Sequence, residues 1–142
     1  MEPSKDHDEI GAVLRQLTQA YADHDADTIA AAYAPDAVIY DLAPPLARRG
    51  INRDAVADWL AGWEGPIRIE TRDLEISVDG ALGFASALTR IQGRQGGEAQ
   101  DMWFRSTQCF RNSGGRWRIV CEHASVPFYM DGSYRAAIDL QP

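Results

Sequence analysis

Two runs of sequence decide the fold: Ala99-Gln100-Asp101-Met102-Trp103-Phe104-Arg105-Ser106-Thr107-Gln108-Cys109-Phe110-Arg111 and Trp117-Arg118-Ile119-Val120-Cys121-Glu122-His123-Ala124-Ser125-Val126. Between them lies Asn112-Ser113-Gly114-Gly115, a turn signal. Both runs carry the period of 2 that marks strands. A short turn forces its flanking strands to be antiparallel neighbours. Upstream, Ile67 to Val78 and Leu82 to Gln92 read the same way, with turns at Asp79-Gly80 and Gly93 to Gly97. Four long strands in a row predict an antiparallel meander. Strands longer than the usual five or six residues must twist and curl.

Before Ile67 the period is helical. Residues 6 to 22 predict a helix, with Ile10, Val13, Leu14, Leu17 and Tyr21 on one stripe. Acidic residues crowd its first turn, where they suit the helix dipole. Asp23-His24-Asp25-Ala26-Asp27 breaks the pattern, and Asp27 is placed to cap a second helix from Thr28 to Tyr33, which Pro35 stops. Ala37 to Asp41 predicts a strand, and Pro44-Pro45 and Gly50 mark a loop. A third helix starts at Asn52 or Arg53 and runs through Trp63, with Gly65-Pro66 closing it. Helices first and a long antiparallel sheet afterwards is an α+β pattern. The sheet is expected to wrap the helices as a cone, with a cavity between them. One domain spans residues 6–130, and 131–142 is a weakly patterned tail.

The composition fits one ordinary globular domain: 142 residues, 45% hydrophobic and 25% charged. The chain carries 14 basic and 21 acidic side chains, for a net charge of -7. That balance disfavours nucleic acid and anionic membranes as partners, since both bind chiefly through clustered cations. No signal peptide is visible at Met1-Glu2-Pro3-Ser4-Lys5-Asp6, and no apolar run is long enough to span a bilayer. A cytoplasmic protein with reduced thiols is the expectation. The two cysteines, Cys109 and Cys121, lack metal-ligand spacing and read as buried thiols.

Three stretches resemble the SnoaL-like branch of the ketosteroid isomerase and nuclear transport factor 2 superfamily. They are Tyr40-Asp41-Leu42-Ala43-Pro44-Pro45-Leu46, then Asp101-Met102-Trp103-Phe104-Arg105-Ser106-Thr107, then Trp117 to Phe128. The order of elements matches as well, and the resemblance covers roughly residues 8 to 130. It implies an NTF2-like conical α+β barrel, commonly a homodimer. The superfamily hosts isomerases, cyclases, dehydratases, epoxide hydrolases and non-catalytic binding or dimerisation modules, so fold alone does not select an activity.

The register of the last hairpin decides which residues share a site. With a four-residue loop Arg111 faces Arg116; with a five-residue loop it faces Trp117. The second collects Trp103, Trp117, Ile119 and both thiols on one core-like face and puts His123 opposite Arg105, with Asp101 farther along. Met102, Phe104, Phe110, Val120 and Val126 then form the other face, suited to a dimer interface. His123 is a candidate acid or base because imidazole titrates near working pH; it is equally a structural histidine bonded to Ser125 or to backbone. Asp101 is a candidate general base whose pKa would rise in an apolar pocket, or the partner of Arg105 in a salt bridge. Arg105 offers a fork of donors to an anionic oxygen.

Asp41 lies in the first-strand region where the ketosteroid isomerases carry a catalytic Asp; it also fits a turn residue. Tyr21 is the helix-1 tyrosine that the same resemblance singles out. Trp59, Trp63, Trp103, Ser125 and Phe128 are candidates to line a site for an apolar ligand, or simply core. Asp23-His24-Asp25 has metal-ligand residue types but lacks a second cluster, so it reads as a solvated helix cap and no metal is expected. No nucleotide-cradling glycine loop is present, so no cofactor is expected. The expected activity is cofactor-free acid–base chemistry (isomerisation, cyclisation or dehydration) on an apolar, carbonyl-bearing ligand. The alternative is a non-catalytic ligand-binding or dimerisation module.

Overall fold

The computed structural model describes residues 4–142. Met1, Glu2 and Pro3, which enter the reading of the N-terminus above, lie outside the described residues. Helix α1 (Lys5–Ala22) opens where the Ser4 hydroxyl accepts from the His7 amide, and Asp6 and Asp8 occupy its first turn. Helix α2 (Ala26–Ala31) is capped by Asp25, which accepts from the Thr28 amide and hydroxyl. The expected cap, Asp27, instead sits inside the first turn and pairs with Arg53 at 2.7 Å. Strand β1 (Tyr33–Tyr40) starts earlier than the pattern predicts. It passes through Pro35 because its register shifts between Tyr33 and Val38, where a missing amide breaks no ladder bond.

After the short strand β2 (Arg48–Arg49), helix α3 (Arg53–Ala61) is capped by Asn52. It stops two residues before Trp63, which opens strand β3 (Trp63–Asp79) rather than ending the helix. Gly65-Pro66 therefore lies inside β3, which tolerates a proline because β3 is the edge of the sheet. Strands β4 (Leu82–Gln95), β5 (Glu98–Ser113) and β6 (Arg116–Ser125) complete the expected meander. The sheet order is β2-β1-β6-β5-β4-β3, with β1 parallel to β6 and the other pairs antiparallel. The six strands curve around the N-terminal helices without closing into a barrel. The tail turns back on itself: Phe128 bridges Ala136, and the Ala137 amide donates to the Pro127 carbonyl.

The last hairpin differs from both expected loops. Ser113 faces Arg116, so the turn is Gly114-Gly115 alone, with φ of 62° and 82° that suit glycine at both positions. Farther along, the register shifts: Phe110 faces Ile119, but Cys109 faces Cys121, and Val120 is the extra residue of a β-bulge. The bulge flips the parity of β6. Phe110, Trp117 and Ile119 are buried beneath the helices, in one cluster with Ile10, Ile29 and Leu60. Asp101, Trp103, Arg105, Thr107 and Cys109 do share a face with Cys121, His123 and Ser125, as expected. Trp117 and Ile119 do not. That shared face points away from the core, and His123 lies opposite Thr107 while Arg105 faces Ser125. Met102, Phe104 and Phe110, expected at a dimer interface, belong to the inner face instead.

Burial separates the two faces energetically. Phe110→Ala should lower the unfolding free energy by about 3–5 kcal/mol. Phe84, which faces Cys109 on the outer side and is 47% exposed, should cost less than half as much when truncated. Urea unfolding of the two variants checks this. Equal losses would contradict the assignment of faces.

Candidate active site

Strand parity brings a carboxylate to the inner face. Glu122 is the residue after Cys121, and beyond the bulge it faces Gln108 on β5 and Ile39 on β1. The Tyr33 hydroxyl, at the start of β1, donates to both of its oxygens at 2.9 Å. Gln108 donates through Nε2 at 3.3 Å. Burial pushes the Glu122 pKa above its ordinary value of 4.5, the two hydrogen bonds pull it down, and the charge of Asp41 adds to the rise. The net direction is upward, so this carboxyl keeps its proton to higher pH than a solvated one.

Two phenols share this environment. Tyr33 is buried, and desolvation and then the Glu122 charge hold its pKa well above the ordinary tyrosine value. Tyr21, near the C-terminus of α1, is raised by the same causes in the same order, with Asp41 contributing. Both therefore remain protonated and can only donate when they face an oxyanion. Tyr21 also begins an aromatic wall: it meets Trp59 edge-on at 6.2 Å, and Trp59 meets Trp63 at 5.4 Å. Gly93 makes room for Trp63, since a Cβ there would lie 2.9 Å from the indole ring. Trp59 is 41% exposed, so the wall reaches solvent at its rim. Farther along, Thr89 on β4 and Ser106 on β5 share a buried hydroxyl–hydroxyl bond of 2.8 Å.

Of the residues singled out from sequence, Tyr21, Trp59 and Trp63 come together, and Asp41 acts on the same cluster through its charge. Asp101, Arg105, His123, Trp103 and Ser125 lie on the outer face. There Asp101 is gripped by Arg90 through two bonds of 2.8 Å, so its pKa is lowered, mainly by that hydrogen bonding, rather than raised. Its ion-pair partner is Arg90, not Arg105. The guanidinium groups of Arg72 and Arg90 approach the Trp103 ring, at 6.0 and 5.8 Å from its centroid. His123 meets the Tyr40 ring at 5.7 Å. Phe128, 49% exposed, packs against Tyr134 in the tail.

Among the described residues no group of three His, Cys, Asp or Glu side chains is placed to hold a metal ion. In Asp23-His24-Asp25, His24 Nε2 lies 2.6 Å from the Gly65 carbonyl and Asp25 is spent on its cap. A cleft of about 660 Å³ between α1, α2 and the start of β6 is lined by Glu9, Gln16, Asp23, Thr28, Arg116 and Trp117. The lowered pKa of Asp25, which also lines it, follows from its capping bonds to Thr28.

Glu122, Tyr33 and Gln108 escape a reading from sequence for one reason. Trp117, Ile119, Cys121 and His123 alternate without a visible break, and only the bulge at Val120 moves the last two to the opposite face. The available signal is an acidic residue within an apolar strand, opposite a glutamine two residues before a buried Phe110.

N-terminal helices packed on a curved, mostly antiparallel six-stranded sheet are the NTF2-like arrangement. The chain belongs to the SnoaL-like domain family, whose model matches residues 10–129. It is 31% identical to an NTF2-like protein of unknown function from Pseudomonas putida, covering 95% of each chain with a TM-score of 0.81. It shares its fold with a proposed dehydratase of the NTF2-like family from Streptomyces avermitilis (18% identity, 87% of this chain and 97% of that one, TM-score 0.73). A proposed scytalone dehydratase from Novosphingobium aromaticivorans is similar as well (17% identity, 93% and 91% covered, TM-score 0.72). No curated protein matches the chain. No described helix is long and apolar enough to cross a membrane.

The raised Glu122 pKa has a consequence for stability. Between 4.5 and the raised value the folded state binds more protons than the unfolded state, so stability falls as pH climbs through that window. Wild type should therefore lose stability relative to Glu122→Gln as pH rises above 4.5. Denaturant unfolding from pH 4 to 8 reads this directly; a difference that grows in favour of wild type would contradict it.

Proposed function

We propose that this chain is a small-molecule enzyme that moves a proton on an apolar, carbonyl-bearing ligand, with Glu122 as the acid–base group. The observation that carries this reading is the raised, partly buried carboxyl beside two protonated phenols. A base works best when its pKa approaches the operating pH. Glu122 takes a proton from the carbon next to the ligand carbonyl. The negative charge passes to the carbonyl oxygen, where Tyr21 is the donor available to stabilise it. Glu122 then returns the proton, to another carbon in an isomerisation or to a departing hydroxyl in a dehydration. Tyr33 and Gln108 fix the carboxyl plane. The Tyr21–Trp59–Trp63 wall gives an apolar ring a surface to pack on. Asp101, Arg105 and His123, on the outer face, take no part. Two fold neighbours described as proposed dehydratases are consistent with this reaction class.

A ligand-binding module without turnover is the second reading. It is favoured by the engagement of both Glu122 oxygens by Tyr33. Deuterium exchange separates the two. In D2O, wild type should wash deuterium into the α-carbon of cyclic ketones such as 2-tetralone, followed by NMR. Glu122→Gln should lose at least ~100-fold of that rate, while Asp101→Asn and His123→Ala retain it. Exchange that survives Glu122→Gln would overturn the assignment, and binding without exchange would favour the module.

A further inference from the structure

Cys109 and Cys121, expected from sequence to share one face, face each other directly across β5 and β6. Both are reduced and only partly buried, on the outer side of the sheet. Residues directly opposite in an antiparallel pair have Cα atoms about 4.5–5.5 Å apart. A disulfide spans Cα separations of about 4.4–6.8 Å. A bridge here therefore needs no movement of one strand past the other. The bulge at Val120 adjoins the pair, and a bulge bends its strand and strengthens the local twist.

We propose that Cys109 and Cys121 form a site of reversible oxidative modification, closing to an intramolecular disulfide on contact with a peroxide. One thiolate attacks a peroxide oxygen, giving a sulfenic acid and releasing water. The opposed thiol attacks that sulfur, the S–S bond forms, and a second water leaves. Two thiols and one hydrogen peroxide thus give one disulfide and two waters, and a dithiol reductant reverses the change. The placement has a structural consequence. Gln108 and Glu122, the chain neighbours of the two cysteines, are themselves register partners on the inner face. A bridge would staple the two strands directly behind the carboxyl. Bridge formation does not depend on the catalytic reading of Glu122.

Hydrogen peroxide added to the full, folded chain tests this. Intact-mass spectrometry should show a monomer lighter by two hydrogens, and peptide mapping should join Cys109 to Cys121. Dithiothreitol should restore the original mass. The oxidised chain should melt higher by roughly 5–10 °C, as a short closed loop restrains the unfolded chain. Cys109→Ser and Cys121→Ser should each abolish the mass loss. Three results would overturn the proposal: thiols inert in the folded chain yet reactive in urea, oxygen added to sulfur without a bridge, or a bridge between two chains in wild type. The mapping uses wild type, so it decides the matter even where a variant fails to fold.

Discussion

One extra residue governs this molecule. Without the bulge at Val120, strand β6 would keep a single parity from Trp117 to Ser125. Burying Trp117 and Ile119 would then bury Cys121 and His123 with them and turn Glu122 outward. With the bulge, the first half of β6 supplies the core beside Phe110, and the second half delivers a carboxylate to the same side. The core and the candidate site thus occupy one concave face, although the sequence pattern alone would place them on opposite faces.

The cost of bringing a carboxylate inward is met locally. Burying an ionised group without partners is expensive, and a carboxyl in that position either finds donors or keeps its proton. Glu122 does some of each. Tyr33 and Gln108 supply donors, and desolvation together with Asp41 shifts the balance toward the protonated form. This mixture is what acid–base chemistry requires, because a group fully committed to either state moves no protons. The outer face shows the opposite case. Asp101 is held ionised by a two-point bond to Arg90, and the resulting pair contributes to the surface of the sheet beside Trp103.

Much of the architecture is legible in the sequence. Helical spacing gives α1 within a residue or two, and the change to a period of 2 near Ile67 gives four strands in meander order. Family resemblance and the family match agree over nearly the same residues. Legibility fails where local rules compete. Asp25 and Asp27 are equally good caps by type, and only the backbone at Asp25 selects it. Pro35 and Pro66 look like stops, but a bulge and a sheet edge tolerate them. The parallel pairing of β1 with β6 joins segments far apart in the chain and leaves no local trace. The candidate site is the least legible part, since a bulge has no strong sequence signature and decides every face assignment beyond it.

The proton affinity of Glu122 decides whether this carboxyl is suited to acid–base work. A carbon-13 NMR titration of the side-chain carboxyl, assigned with Glu122→Gln, measures it. The midpoint should lie above 4.5 and move upward again when Tyr33→Phe removes the donor that favours the ionised form. A midpoint at or below 4.5 would place an ordinary, permanently ionised carboxylate on the inner face and contradict the account.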